Sequence, residues 1–161
     1  MNKDGSVYIR NAVLWVLAIV YYIVINTFSV TPAAVSRAES QSVINAVEKV
    51  TEAVQHKSES KGFLGLSDKA FHKLVRKTAH VINFFILAFL HCMLFFSYSR
   101  EKLITVLLAL FVGLCGAALD EMTQFFVAGR SAQISDVLID LVGTIFGCVF
   151  FVWLYCKTLS E

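Results

Sequence analysis

The chain contains 161 residues, of which 57% are hydrophobic and only 16% charged, and its formal net charge is +2. Because soluble domains carry about 25% charged residues, this composition excludes an ordinary soluble domain, a disordered chain and a secreted disulfide scaffold. We treat residues 1–161 as a single domain, and no basic block indicates nucleic acid as a partner.

Four long stretches of the chain are free of charged residues, or carry them only near one end. A helix needs about 20 mostly apolar residues to cross the hydrocarbon of a bilayer. The sequence therefore predicts an all-α integral membrane protein whose four transmembrane helices lie near residues 11–28, 79–97, 103–126 and 134–156.

The first stretch follows Lys3 and Arg10, as the apolar part of a signal sequence would. It exceeds the usual apolar core of about 7–15 residues and no small-residue cleavage site follows, so we expect a retained membrane anchor. The four cysteines all fall within the predicted spans and form no Cys-x-x-Cys pair. They therefore indicate buried apolar positions rather than a disulfide framework or a redox motif.

A polar connection over residues 33–77 separates the first two spans, beginning directly after Pro32. Val and Ala recur in it at helical spacing, which predicts an amphipathic helix between helices one and two. Two placements fit this pattern equally: a solvated helix, or one that lies across the bundle at headgroup level. From Phe71 onward, a second amphipathic turn is expected to continue into the second span.

The unusual polar residues of the spans are expected to share one side of the membrane. With four crossings, one boundary of the membrane contains four helix ends. These are the end of span one, the start of span two, the end of span three and the start of span four. These regions contain Asn26, Arg76, Lys77, His80, Asn83, Asp120, Glu121, Gln124, Arg130, Asp136 and Asp140. The topology therefore predicts a single site at that boundary.

Spans three and four each carry small residues and carboxylates on one helical face, and the two series mirror each other in an antiparallel hairpin. We expect close helix pairing along the small residues and a polar pocket above them. Because Glu121 is rotated by about 100° from Asp120, we expect Glu121 to address span two and Asp120 to address span four. The expected pairs are Gly113 with Gly147, Ala117 with Gly143, Asp120 with Asp140, and Gln124 with Asp136.

Two interpretations of this charged cluster remain open: an ion-pair network that only orients the helices, or a ligand-binding pocket. A single charged residue at the centre of a span costs about 2.5–3.5 kcal/mol, and ionisable residues within spans commonly mark function. The spacing matches no metal-binding motif, so neither a metal site nor a cofactor is predicted. The predicted ligand-binding residues are Arg76, Lys77, His80, Asn83, Asp120, Glu121, Gln124, Arg130, Asp136 and Asp140.

These motifs resemble the VanZ-like membrane family over roughly residues 20–150. The resemblance rests on Arg76-Lys77-Thr78-Ala79-His80, on the Asp120-Glu121-x-x-Gln124 segment that leads to Gly129-Arg130, and on Asp136 with the Gly143-x-x-x-Gly147 pair. The family's namesake is associated with low-level resistance to the glycopeptide teicoplanin. The chain departs from the family pattern at Asn83, Asp140 and Val127-Ala128.

The resemblance implies a cell-envelope protein that contributes to glycopeptide resistance, and the residues suit two chemistries. One is a binding module for membrane lipids, a lipid-linked envelope precursor or a glycopeptide. The other is an intramembrane hydrolase or transferase in which His80, Asp120 and Glu121 act as acid and base. A proton-coupled transporter is disfavoured, because the spans are almost wholly apolar beyond Gly113 and Gly147.

The distribution of Lys and Arg favours cytoplasmic termini and an extracellular pocket, and the family resemblance implies the cytoplasmic membrane of a bacterium. Five cations flank the spans on the side of the termini and six on the other, but three of the six belong to the predicted site. Discounting those three leaves the excess with the termini, which the positive-inside rule then places in the cytoplasm.

Overall fold

The computed structural model describes residues 3–30, 42, 68–127 and 133–158. Four long helices occupy these ranges: α1 (Lys3–Ser29), α2 (Asp68–Ser99), α3 (Lys102–Phe125) and α4 (Ile134–Thr158). Each is long and apolar enough to cross a membrane, which confirms the predicted all-α architecture with four spans. The predicted amphipathic helix between helices one and two lies largely outside the described residues.

The helices extend beyond the predicted spans at several ends. α1 begins eight residues before the predicted start at residue 11, and α2 begins at Asp68, before its apolar span opens near Lys73. A helix can begin in polar surroundings because water can satisfy the N–H groups of its first turn, which have no acceptor within the helix. The expectation that the turn beginning at Phe71 runs straight into the second span is confirmed.

α2 and α3 each end in a backbone hydrogen bond just before a short connection to the next helix. Arg100 adopts a left-handed conformation, with φ of 57°, and its N–H donates to the carbonyl of Phe96 at 3.1 Å. At the other boundary the last turn of α3 tightens, because the N–H groups of Phe126 and Val127 donate to the carbonyls of Thr123 and Gln124. These ends make α3 antiparallel to both α2 and α4.

α2 is the central helix of the bundle, with its largest interface against α4 and further contacts with α3 and α1. The core combines small side chains with the buried rings of Phe84 and Phe151. One buried cluster contains Ala88, Cys92, Ala109 and Cys148 with Phe151, and the other contains Ile25, Phe84, Leu87 and Ala117. Many other large apolar side chains cover the outer faces, as expected for helices that face acyl chains.

The glycine stripe of α4 faces α2, which corrects the predicted pairing with α3. A Cβ added at Gly143 would overlap the carbonyl of Val81, and one added at Gly147 would overlap the carbonyl of Phe85. Gly113 of α3 packs instead on the side chain of Thr144. The hairpin prediction considered only α3 and α4, whereas α2 approaches the same face of α4 more closely.

The cysteines also divide in a way that the sequence did not predict. Cys92 and Cys148 are buried and in contact, with 3.6 Å between their Sγ atoms. Cys115 and Cys156 are exposed on the outer faces of α3 and α4, so the expectation that all four are buried is wrong for these two.

Candidate functional site

α2 and α4 both begin at the same boundary and run in parallel, so residues about 60 positions apart in sequence become neighbours. Arg76 reaches Asp136 and His80 reaches Asp140, each across 60 positions. The two acidic residues are one helical turn apart on α4, as are Arg76 and His80 on α2. The first turns of the two helices therefore form one polar interface.

His80 lies at the centre of this interface. Its Nδ1 is 3.1 Å from Oδ1 of Asp140 and 3.9 Å from Oδ2 of Asp120. The His80 side chain is 17% exposed, whereas those of Asp120 and Asp140 are 0% and 1% exposed. One imidazole thus covers two fully buried carboxyl groups from different helices, and each of the three offers one ligand atom within 4.8 Å of the others.

Gln124 fixes the orientation of Asp120 from one turn further along α3. Its Nε2 donates to Oδ2 of Asp120 at 2.9 Å, and both side chains are buried. Gln124 was expected to face Asp136, and this pairing is wrong because Asp136 binds α2 instead. Within the described part of the chain, Oδ1 of Asp120 and Oδ2 of Asp140 are buried without a hydrogen-bond partner.

Asp136 is held by two cations at the outer edge of the charged cluster, which consists of Arg76, Lys77, His80, Asp120, Asp136 and Asp140. Nζ of Lys77 lies 3.2 Å from Oδ1 of Asp136, and Nη2 of Arg76 lies 3.4 Å from Oδ2. Asp136 is in the first turn of α4, where the positive end of the helix dipole also favours a carboxylate. Arg76 and Lys77 are partly exposed, at 33% and 26%, and form the accessible side of the site.

Glu121 supports the connection between α3 and α4 rather than the contact with α2. Its Oε1 accepts a hydrogen bond from the backbone N–H of Gln133, the residue before α4. The predicted direction is therefore confirmed for Asp120, a carboxylate oxygen of which lies within 4.8 Å of one of Asp140 on α4, although Asp120 also approaches His80 of α2. It is wrong for Glu121, which faces the start of α4. Oε2 of Glu121 is buried without a hydrogen-bond partner among the described residues.

A groove of about 410 Å³ lies beside Glu121, between the end of α3 and the start of α4. Met122, Phe125, Phe126, Ile134 and Val137 make most of its lining apolar, while Glu121 and Gln133 contribute polar groups. An apolar groove next to a charged cluster is amphipathic in the way that a membrane lipid is.

Two further predicted residues stand apart from this cluster. Oδ1 of Asn83 accepts a hydrogen bond from the hydroxyl of Tyr21 at 3.1 Å, which joins α1 to α2. Nδ2 of Asn26 donates to the carbonyl of Tyr22 one turn earlier in its own helix. Arg130 lies outside the described residues, so its predicted place over the cluster stays a prediction.

Sequence reasoning missed Tyr21 and Gln133 as contributors to the region. Nothing in the sequence pattern indicates the contact between the hydroxyl of Tyr21 and Asn83. Gln133 contributes its backbone N–H to Glu121, a role that residue type does not reveal. Its position immediately before α4 was the one available signal, because the first N–H groups of a helix need acceptors outside it.

The chain was compared with known proteins in three ways. No curated protein and no solved structure matches it. One family model, described as VanZ/LLP1, matches residues 13–155. That range covers most of the chain and includes α2 and α3 in full, most of α1 and α4, and each residue of the cluster. The chain is a multi-pass membrane protein with four candidate spans, and it belongs to the VanZ/LLP1 family.

Proposed function

We propose that the cluster binds the polar, phosphate-bearing headgroup of an envelope lipid or lipid-linked precursor, and that the protein thereby contributes to resistance against glycopeptide or lipoglycopeptide antibiotics. The observation that carries this proposal is the position of Arg76 and Lys77. Both contact Asp136 at the accessible edge of the buried His80, Asp120 and Asp140 group.

The charges at this edge favour an anionic ligand. Two cations share one carboxylate, which leaves an excess of one positive charge in the Arg76, Lys77 and Asp136 group. Arg and Lys make strong, charge-assisted hydrogen bonds to phosphate. Since both side chains remain partly exposed, a phosphate can bind them without first breaking their contacts with Asp136.

The groove beside Glu121 supports a lipid rather than a free phosphate. Its lining is largely apolar and its volume is about 410 Å³, within the range of small-molecule sites. An acyl or isoprenoid chain can lie in this groove while its headgroup reaches the charged cluster.

The family supports an envelope role, and the resistance phenotype of its namesake supports the link to glycopeptides. These antibiotics act outside the cytoplasmic membrane, on lipid-linked cell-wall precursors. A site at the extracellular boundary of a bacterial cytoplasmic membrane would meet such precursors directly. The proposal therefore includes cytoplasmic termini and an extracellular cluster.

Native mass spectrometry of the purified protein tests the headgroup proposal. The protein in detergent is mixed with phosphatidylglycerol, undecaprenyl phosphate or phosphatidylcholine, and the lipid that remains bound is quantified. We expect both anionic lipids to be retained over phosphatidylcholine, and R76Q/K77Q to reduce their retention at least fivefold. R100Q/K102Q, which removes two cations from the opposite end of the bundle, is the matched control and should retain them.

Equal retention of all three lipids would contradict the proposal, as would equal loss in both double variants. Preference for undecaprenyl phosphate over phosphatidylglycerol would identify a precursor as the ligand. The reverse preference would identify a bulk membrane lipid. Binding of teicoplanin in place of either lipid would instead identify the antibiotic as the ligand.

A second candidate function is an intramembrane hydrolase or transferase, which the contact between His80 and Asp140 favours. A carboxylate bonded to an imidazole can orient it as a general base, and 3.1 Å is a suitable distance for this. Arg76 could then stabilise an anion that develops on a phosphoryl substrate. Asp120 and Glu121 provide further acidic groups nearby.

The effect of H80Q separates the two candidates. In a binding module, glutamine should weaken lipid retention by less than tenfold, since the cations at the edge remain. In an enzyme, H80Q should abolish release of product from a lipid-linked substrate while that substrate still binds. Product formation by wild-type protein that H80Q leaves unchanged would exclude His80 as the base.

A further inference from the structure

Beyond recognition of a headgroup, the site has the geometry of a metal-binding site. The donor atoms that are arranged as metal ligands belong to His80, Asp120 and Asp140. We propose that these three side chains bind one divalent transition-metal ion, with Zn²⁺ or Mn²⁺ as the ions that fit best. The sequence gives no metal motif, because each ligand comes from a different helix: α2, α3 and α4.

The distances between the donor atoms fit a single ion. Zn²⁺ lies about 2.1 Å from its nitrogen and oxygen ligands, so two donors at a tetrahedral angle are about 3.4 Å apart. Nδ1 of His80 is 3.1 Å from Oδ1 of Asp140 and 3.9 Å from Oδ2 of Asp120. All three ligand atoms lie within 4.8 Å of one another, so shifts below about 1 Å would complete the site.

Unused oxygens of the two carboxylates point to a missing partner. Oδ1 of Asp120 and Oδ2 of Asp140 are buried and accept no hydrogen bond from any described residue. Both side chains are at least 99% buried, and an unsatisfied polar atom in such a place costs about 1–3 kcal/mol. A cation that each carboxylate held through both of its oxygens would satisfy them, together with the Oδ2 of Asp120 and Oδ1 of Asp140 that face His80.

The charges around Asp120 and Asp140 also favour a bound cation. Arg76 and Lys77 contact Asp136, and within the described ranges no Lys or Arg lies within 4.0 Å of Asp120 or Asp140. Among the residues that the structure describes, His80 alone contacts both carboxyl groups. A divalent ion would neutralise two buried carboxylates at once, whereas a protonated imidazole supplies one positive charge.

The ligand types decide which metal fits. Imidazole suits Zn²⁺ and other first-row ions, and carboxylates suit Mn²⁺ and Zn²⁺ as well. Ca²⁺ requires six to eight oxygen ligands and Mg²⁺ near-ideal octahedral oxygen coordination, so a site with one nitrogen favours neither. Gln124 would act as an outer support, because its hydrogen bond already orients the Asp120 carboxylate.

The open coordination position of a three-ligand site would face the partly exposed His80 edge, near Arg76 and Lys77. A metal there could bind a phosphate oxygen of the ligand proposed above. The metal proposal can be tested without that ligand, because metal content is measured with no lipid added. Failure of the metal proposal and failure of the lipid proposal are therefore separate results.

Equilibrium dialysis tests the site in the intact protein. Wild-type protein in detergent is stripped with EDTA, dialysed against ZnCl₂ or MnCl₂, and analysed for bound metal by plasma mass spectrometry. We expect about one ion per chain, with at least tenfold weaker binding in H80Q, D120N and D140N. The matched controls H91Q and E101Q, a histidine and an acid outside the cluster, should bind like the wild type.

X-ray absorption of the wild-type zinc complex keeps the test valid if a site variant fails to fold. The spectrum should show nitrogen and oxygen neighbours at about 2.0–2.1 Å, one of them imidazole, and no sulfur. Sulfur ligands would assign the ion to cysteines and overturn the proposal. Less than about 0.1 ion per chain at millimolar metal, or equal binding by wild type and the folded site variants, would also overturn it.

Discussion

Nδ1 of His80 lies 3.1 Å from Oδ1 of Asp140, and this contact joins two parallel membrane helices at the boundary where both begin. Asp140 is fully buried, so its carboxyl group has little access to water as an alternative partner. A contact of this kind determines the rotation of α2 against α4, and with it the positions of the other groups in the cluster.

The contact should appear as an energetic coupling between the two residues. H80Q and D140N should each destabilise the protein, because removal of one member leaves the other buried without its partner. The double variant should lose less than the sum of the single effects, with a coupling of about 0.5–3 kcal/mol. The free energy of unfolding in mixed micelles measures all four states of this cycle.

The control is a second double-mutant cycle, which combines H80Q with D136N. Asp136 contacts Arg76 and Lys77 rather than His80. We expect near additivity there, within about 0.5 kcal/mol. Additivity in the His80 and Asp140 cycle would show that the two side chains do not interact in the folded protein.

Gly143 should tolerate no larger residue, because its missing side chain allows the backbone of α2 to approach. The nearest atoms to an added Cβ belong to the Val81 backbone, which cannot move aside as a side chain can. G143A should therefore destabilise the protein by about 1–3 kcal/mol. Membrane abundance and the unfolding free energy in micelles measure this effect.

Gly116 supplies the comparison for that variant. A Cβ there would lie 3.4 Å from Cε2 of Tyr22, an ordinary contact distance. G116A should be neutral or slightly stabilising, since alanine favours a helix over glycine by about 1 kcal/mol. Equal losses in G143A and G116A would contradict the close approach of α2 to Gly143.

Cys92 and Cys148 should form a disulfide on treatment with iodine, a membrane-permeant oxidant. Their Sγ atoms are 3.6 Å apart, so a small movement brings them to the bond length of about 2.05 Å. In a C115S/C156S background, oxidised protein that is then denatured should accept no maleimide, while unoxidised protein accepts two. Mass spectrometry counts the adducts.

C92A in the same background is the control and should keep one reactive thiol after oxidation. Two adducts on oxidised C115S/C156S protein would show that the two thiols do not meet. That result would contradict the register of α2 against α4, from which the geometry of the cluster follows.

Much of the fold follows from apolar segments alone, but the contacts within the site do not. Charge-free stretches locate the spans, and the alternation of four crossings places His80, Asp120 and Asp140 at one boundary. The partner of Gly143 cannot be predicted from the sequence. Helical periodicity shows which residues share a face of a helix, but not which of two neighbouring helices packs against that face. Glu121 was assigned to α2 for the same reason, whereas it faces the start of α4.

The orientation of the protein is a separate prediction. The excess of cations beside the termini places both in the cytoplasm once the site cations are discounted. A fluorescent protein fused after Glu161 should therefore fluoresce, and an alkaline phosphatase fused there should be inactive. The opposite pair of results would place the cluster in the cytoplasm, away from glycopeptides.

Antibiotic susceptibility measured together with membrane abundance tests the central claim, that residues from α2, α3 and α4 form one functional site. H80Q and E121Q are compared with H91Q and E101Q in a host that lacks the wild-type protein, with teicoplanin as the antibiotic. We predict that H80Q and E121Q lose more protection than any fall in their abundance explains, and that H91Q and E101Q keep theirs. Loss of protection only in proportion to lost protein, or full protection by H80Q, would contradict the account and leave the cluster as a purely structural ion-pair network.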